Sequence, residues 1–101
     1  MPADKILEAW KNHVPPEVPL DDVLQVIKAR FERLILPDGG HYKVFDSRLL
    51  RFQKMAPDYP MECFNGTFHI PTLSGRKVKG KYVKRILNLL EIVEQMTERG
   101  L

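Results

Sequence analysis

Six cations fall within ten positions of this chain: Arg76, Lys77, Lys79, Lys81, Lys84 and Arg85, with no acid among them. The first acids beyond are Glu91, Glu94 and Glu98. If a helix starts near Lys81, this order opposes the helix macrodipole, which favours anions at the N-terminus and cations at the C-terminus. A helix shaped for stability alone would reverse it. A basic loop feeding a helix start suits phosphate groups, which it meets with both side chains and free backbone N–H groups. The competing reading is a solvated charged face, although such faces usually alternate in sign.

Two histidines are the other candidates. His41 follows Pro37-Asp38-Gly39-Gly40, a strong turn signal, and opens the segment His41-Tyr42-Lys43-Val44-Phe45-Asp46. His69 lies in Gly66-Thr67-Phe68-His69-Ile70-Pro71. Side chains alternate along a strand. With Tyr42, Val44, Phe68 and Ile70 facing a core, His41, Lys43, Thr67 and His69 face the other way. Neighbouring strands would bring both imidazoles onto one open sheet face. Imidazole titrates near neutrality, so such a group can take the proton of a ribose 2′-hydroxyl and return one to a leaving group, while a lysine or arginine stabilises the charged phosphorane. The plainer role of a strand histidine is a surface or hydrogen-bonding residue. His13, beside a proline-rich stretch, is read as incidental.

Other chemistries are poorly served. No two of His13, His41 and His69 have a ligand spacing such as i, i+4, so no metal site is expected. Gly39-Gly40 is too short for a phosphate-binding loop and precedes a strand, not a helix. Cys63 reads as a small core residue before an aromatic. Tyr42, Phe45 and Phe52 have rings able to stack on bases, but core packing accounts for most of them.

The elements that must position these groups follow from periodicity. Ile6, Leu7 and Trp10 make one stripe of a short N-terminal helix, stopped by Val14-Pro15-Pro16-Glu17-Val18-Pro19. Leu20, Val23, Leu24, Ile27 and Phe31 mark a second helix over 20–31, with Asp21 and Asp22 at its positive end. Arg33 to Leu36 and His41 to Asp46 read as a hairpin. The stretch 47–65 is ambiguous, since Leu49, Leu50 and Phe52 fit either a strand extension or a short helix. A third strand over 66–71 leads through a basic connection, 72–80, to a helix over 81–97 with Val83, Ile86, Leu87, Leu90, Val93 and Met96 on its buried face. The order is helix, helix, three strands, helix, which gives an α+β two-layer domain.

Size and composition agree. The 101 residues form one compact domain, 44% hydrophobic and 29% charged, which excludes a disordered, collagenous or disulfide-stapled chain. Sixteen Lys+Arg against 13 Asp+Glu leave a net charge of +3. That is too small a surplus to imply nucleic acid without its clustering. A single cysteine and the absence of any long apolar run or leader-like start point to a cytoplasmic protein.

The order of motifs resembles the HicA family of toxins, small RNA-cleaving partners of HicB antitoxins. The resemblance rests on Gly39-Gly40-His41-Tyr42, Val44-Phe45, Thr67-Phe68-His69-Ile70-Pro71, Gly75-Arg76-Lys77-Val78-Lys79-Gly80 and Tyr82-Val83-Lys84-Arg85-Ile86-Leu87, and it covers roughly 20–95. It implies a fold like the double-stranded-RNA-binding domain, a three-stranded antiparallel sheet on two helices. Residues 1–19 would add a helix and a Pro-rich linker to the 20–101 unit, within a single globular domain overall. It further implies a metal-independent endoribonuclease (an mRNA interferase of a type II toxin–antitoxin system) that inhibits translation, takes no cofactor and pairs with a HicB-like antitoxin. The family's glycine-small-histidine motif falls on Gly39, Gly40 and His41, which makes His41 the catalytic residue. Lys43, Arg76, Lys77, Lys79, Lys81, Lys84 and Arg85 are the expected RNA-binding residues, with His69 and Gly40 as auxiliary positions. The chain departs from the family in carrying Gly40 for a usual serine, Tyr42 for a frequent second histidine, and a longer 47–65 stretch. Two other functions compete: a non-catalytic RNA-binding module of the same fold, and a protein-interaction domain using the N-terminal helix around Trp10.

Overall fold

The computed structural model describes residues 2–38 and 41–100. Among the described residues nine elements follow one another: α1 (Ala3–Asn12), β1 (Glu17–Pro19), α2 (Leu20–Arg30), β2 (Arg33–Asp38), β3 (His41–Phe45), α3 (Ser47–Met55), β4 (Thr67–Pro71), β5 (Lys77–Lys79) and α4 (Gly80–Glu98). The architecture is α+β, with four helices and a small antiparallel sheet of order β2-β3-β4. The ambiguous 47–65 stretch takes the helical of its two readings, as α3. Two other elements exceed the sequence expectation. The stretch 14–19, expected as a linker, ends in strand β1. The basic connection contains strand β5, which pairs antiparallel with β1 in a separate two-stranded ribbon. Backbone pairing with a distant segment made both strands, and no local pattern announces that.

Each helix forms for a readable reason. In α1, Ile6, Leu7 and Trp10 are buried together. Trp10 is only 5% exposed, so its ring is committed to the core. In α2, Asp21 and Asp22 occupy the first turn and Lys28 and Arg30 the last, in keeping with the dipole. Its buried residues are Leu20, Val23, Val26 and Ile27, whereas Leu24 is half-buried. Helix α4 buries Val83, Ile86, Leu90, Val93 and Met96 as expected, and Leu89 and Ile92 as well, while Leu87 is half-buried. The buried arc shifts because α3 packs against a second side of α4.

The sheet buries one face. Val44, Phe68 and Ile70 join the helix residues in a single core cluster, each burial contributing about 1.5–3 kcal/mol for a large side chain. Phe31, just after α2, meets Phe68 edge-on at 5.4 Å between centroids. The register pairs Arg33 with Phe45, Leu34 with Val44 and Ile35 with Lys43, then shifts so that Asp38 pairs with His41. Pro37 and Asp38, expected in the turn, still belong to β2, and the expected corner at Gly39 and Gly40 lies outside the described residues. The chain enters β4 through Asn65 (φ 50°) and Gly66 (φ 80°), both left-handed, a conformation glycine adopts without a Cβ penalty.

Gly80 closes the molecule where α4 begins. Its N–H donates to the Pro16 carbonyl at 2.7 Å, and a Cβ built on it would stand 2.3 Å from the Pro15 carbonyl oxygen. That oxygen belongs to backbone held by prolines, so it yields poorly. Gly80→Ala is expected to destabilise the fold by about 1–3 kcal/mol, the usual range for overpacking. A urea titration that leaves the midpoint unchanged would contradict this.

Candidate functional site

Strands β3 and β4 place both candidate histidines. His41 pairs with Pro71, Tyr42 with Ile70, Lys43 with His69, Val44 with Phe68 and Phe45 with Thr67. Because Val44, Phe68 and Ile70 are buried, the alternate residues His41, Lys43 and His69 share the face turned away from the core. His41 and His69 are exposed and Lys43 is half-buried. Ile35 on β2 lies beside Lys43 on the same face and is 38% exposed. At the Phe45 end, the Phe45 ring edge and Leu50 of α3 both come against Gly66. At the other end His41 is itself exposed. Gly40, expected as auxiliary, lies outside the described residues.

The cations form a second group, on the β1–β5 ribbon and the start of α4. Val78 is buried and points Lys77 and Lys79 outward. Arg76, Lys77, Lys79, Lys81 and Lys84 are all exposed. Neither an acidic residue in the first turn of α4 nor a basic one in its last turn offsets the adverse charge order. Lys77 has an acidic neighbour, with Nζ 3.7 Å from a Glu17 carboxylate oxygen. Lys81 Nζ and Arg85 Cζ each stand 5.1 Å from the Tyr82 ring centroid, a geometry in which the ring quadrupole attracts the cation. Arg85 is also ion-paired with Glu62 and half-buried. Of the expected phosphate-binding residues it is therefore the one already engaged by carboxylate and ring. The histidine face and the ribbon are thus separate groups in the fold. The chain joins them: β4 ends at Pro71, opposite His41, and the basic segment follows within a few residues.

Sequence reasoning missed a buried polar knot behind this face. Asp46 is wholly buried and caps α3. Its Oδ1 accepts from Arg48 N and Nε, both at 2.9 Å. Its Oδ2 accepts from Arg48 Nη2 at 2.7 Å and from Glu32 N at 3.1 Å. Arg48 also donates to the Arg30 carbonyl at 3.2 Å and to Thr97 Oγ1 at 3.0 Å. Glu32 in turn accepts from Ser47 N and Oγ, both at 2.7 Å. The hydrogen bond and charge of Asp46 raise the Arg48 pKa above its ordinary value, against a smaller opposing effect of burial. The knot thereby ties the end of α2, the β3–α3 junction and the end of α4. An Asp immediately before an amphipathic segment was the available signal for the cap. Nothing local signals the reach to Arg30 and Thr97.

The 47–65 stretch is held at further points. Gln53 donates to the Cys63 carbonyl at 3.0 Å and accepts from Gly66 N at 2.9 Å. Phe52 meets Tyr59 edge-on at 5.2 Å. Between this stretch and α4 runs an open groove of about 390 Å³, lined in part by Phe52, Tyr59, Met61, Arg85 and Ile92. Cys63 is half-buried, and burial pushes its thiol up, only partly offset by a hydrogen bond involving the Gly66 backbone. That favours the protonated, unreactive form, in line with a packing role. No helix among the described residues is long and apolar enough to cross a membrane. Set against protein-family models, curated proteins and solved structures, the chain has no match in any of the three.

Proposed function

We propose that this protein is a HicA-like, RNA-binding endoribonuclease with the double-stranded-RNA-binding type of fold, cleaving mRNA without a metal ion. The succession α2-β2-β3-β4-α4 supports the fold, with α1, β1, α3 and β5 as additions to it. The observation that carries the activity is an exposed His41 on the same open face as Lys43. His41 acts as the general base and acid toward the ribose 2′-hydroxyl, and Lys43 stabilises the phosphorane. The exposed cations Arg76, Lys77, Lys79, Lys81 and Lys84 hold the RNA backbone, which is recognised mainly by shape and by its phosphates. A HicB-like antitoxin would inhibit by covering His41 and these cations.

The direct test is incubation of purified protein with mRNA in EDTA, with end-group analysis of the fragments. Fragments ending in 2′,3′-cyclic phosphate and 5′-hydroxyl are expected. Intact RNA under conditions where the protein binds it would instead indicate a binding module with no nuclease activity.

The cationic surface has its own signature. Each phosphate that a lysine or arginine neutralises adds about 0.7 to the steepness of log K against log salt on single strands, because a counterion is released there. Replacing Lys79 and Lys84 together with alanine should therefore flatten that slope by about 1.4 units and weaken binding uniformly across RNA sequences. A fluorescence-anisotropy titration at several salt concentrations measures both. An unchanged slope would remove those two side chains from the interface.

A further inference from the structure

We propose that His69 is a second catalytic group, the general acid that complements His41 as general base. This rests on the ribonuclease reading above and goes beyond a single-histidine reaction.

The argument begins with register. His69 is the cross-strand partner of Lys43, and His41 is the partner of Pro71, two residues farther along β4. The two histidines are therefore diagonal neighbours on one face, and such positions lie about 7–8 Å apart. Lys43 adjoins both, directly opposite one and two residues from the other. Both imidazoles are exposed, so neither is held by core packing. This is the arrangement that in-line phosphodiester cleavage requires. The attacking 2′-oxygen and the leaving 5′-oxygen lie on opposite sides of the phosphorus. A base on one side and an acid on the other, each at a hydrogen bond of about 2.8 Å, must therefore be separated by several ångströms. Adjacent groups on one strand edge would crowd one side of the phosphorus, and groups on opposite sheet faces would miss it altogether. A diagonal pair spans it, with a cation left beside the phosphorane.

The chemistry balances without a further reactant. His41 takes the proton of the 2′-hydroxyl as that oxygen bonds to phosphorus. The phosphorus–5′-oxygen bond breaks, and the departing oxygen takes the proton of His69. The products are a 2′,3′-cyclic phosphate and a 5′-hydroxyl, with His41 now protonated and His69 neutral. Exchange with solvent, or hydrolysis of the cyclic phosphate with the two roles reversed, restores the starting forms.

Among the described residues, the charged side chain beside this pair is Lys43 of β3; Arg33 of β2 lies on the same face farther along, opposite Phe45, and the β2 register partner of His41 is Asp38. Since imidazole as a group changes charge between pH 5 and 8, one base and one acid give a bell-shaped dependence of kcat/KM on pH.

The experiment compares His69→Gln and His41→Gln with the native chain on two substrates: an RNA oligonucleotide, and the same oligonucleotide with sulfur replacing the bridging 5′-oxygen at the cleaved linkage. A thiolate departs without protonation, so the second substrate needs the base but not the acid. On ordinary RNA, His69→Gln should cleave about 10²-fold more slowly and lose the alkaline limb of its pH profile. On the sulfur-bridged substrate it should return to within a few-fold of native. His41→Gln should remain impaired on both. A native rate for His69→Gln on RNA, or an equal deficit on both substrates, overturns the proposal. Either result with His41→Gln inactive leaves the ribonuclease reading standing, whereas a native chain that cleaves neither substrate ends both.

Discussion

His41→Ala should lower RNA cleavage by about 10²–10⁴-fold, the usual contribution of a general acid–base group. The melting temperature should not move, because the side chain is exposed and at the end of β3. RNA affinity should also hold, since phosphate binding is assigned to lysines and arginines and not to this ring. This separation makes the substitution informative. A structural histidine would lower stability along with activity, and a binding histidine would lower affinity. A catalytic one lowers kcat and leaves both in place. The measurements are single-turnover cleavage, anisotropy titration and thermal melting of the same preparation. Native-like cleavage by the alanine variant would remove His41 from the reaction.

Asp46→Ala should produce the largest loss of stability of any single change considered, about 3–5 kcal/mol, the cost of removing one member of a buried ion pair. The aspartate is entirely inside, and its loss leaves the Glu32 and Arg48 backbone N–H groups and the Arg48 Nε without their acceptor, and the guanidinium without its counter-charge. Some of that guanidinium can turn toward water, since the Arg48 side chain is 22% exposed, which places the expectation at the lower end of the range. For a domain of this size each kcal/mol moves the melting temperature by about 4–8 °C, so the shift exceeds ten degrees. Asp46→Asn keeps an oxygen for the cap and gives up the charge, so it should fall between native and alanine. Calorimetry on the three proteins decides it. A change under 1 kcal/mol for the alanine variant would mean that the knot is dispensable.

These two residues differ in how legible they were. His41 stood out because a glycine turn, an alternating strand and an ionisable ring coincide within a few positions, and all three are local. The face shared by His41, Lys43 and His69 was likewise readable from the period of two, once the strands were taken as neighbours. Asp46 carried only the faint mark of a cap, because its importance comes from Glu32, Arg30 and Thr97, which are distant in sequence. The same reason hid β1 and β5. Three-residue strands have no periodicity of their own and exist here because each supplies the other's hydrogen bonds. On α4, the pattern found the stripe from Val83 to Met96 but not the burial of Leu89 and Ile92, which depends on where α3 comes to rest. Arg85 was grouped with its basic neighbours on charge, and only the fold shows Glu62 and Tyr82 already beside it.

The β1–β5 ribbon has a consequence for the order in which the molecule assembles. Glu17 meets Lys79 across a loop of roughly sixty residues, and closing a loop of that length carries an entropic cost that local pairings do not. The pairing is therefore expected to come late, after the hairpin and the helices have condensed. Until then Lys77 and Lys79 sit on a slack tether, and no fixed array of positive charge exists for a polyanion to fit. A half-folded chain would attract nucleic acid loosely and without preference, and shape discrimination would arrive only with the last closure.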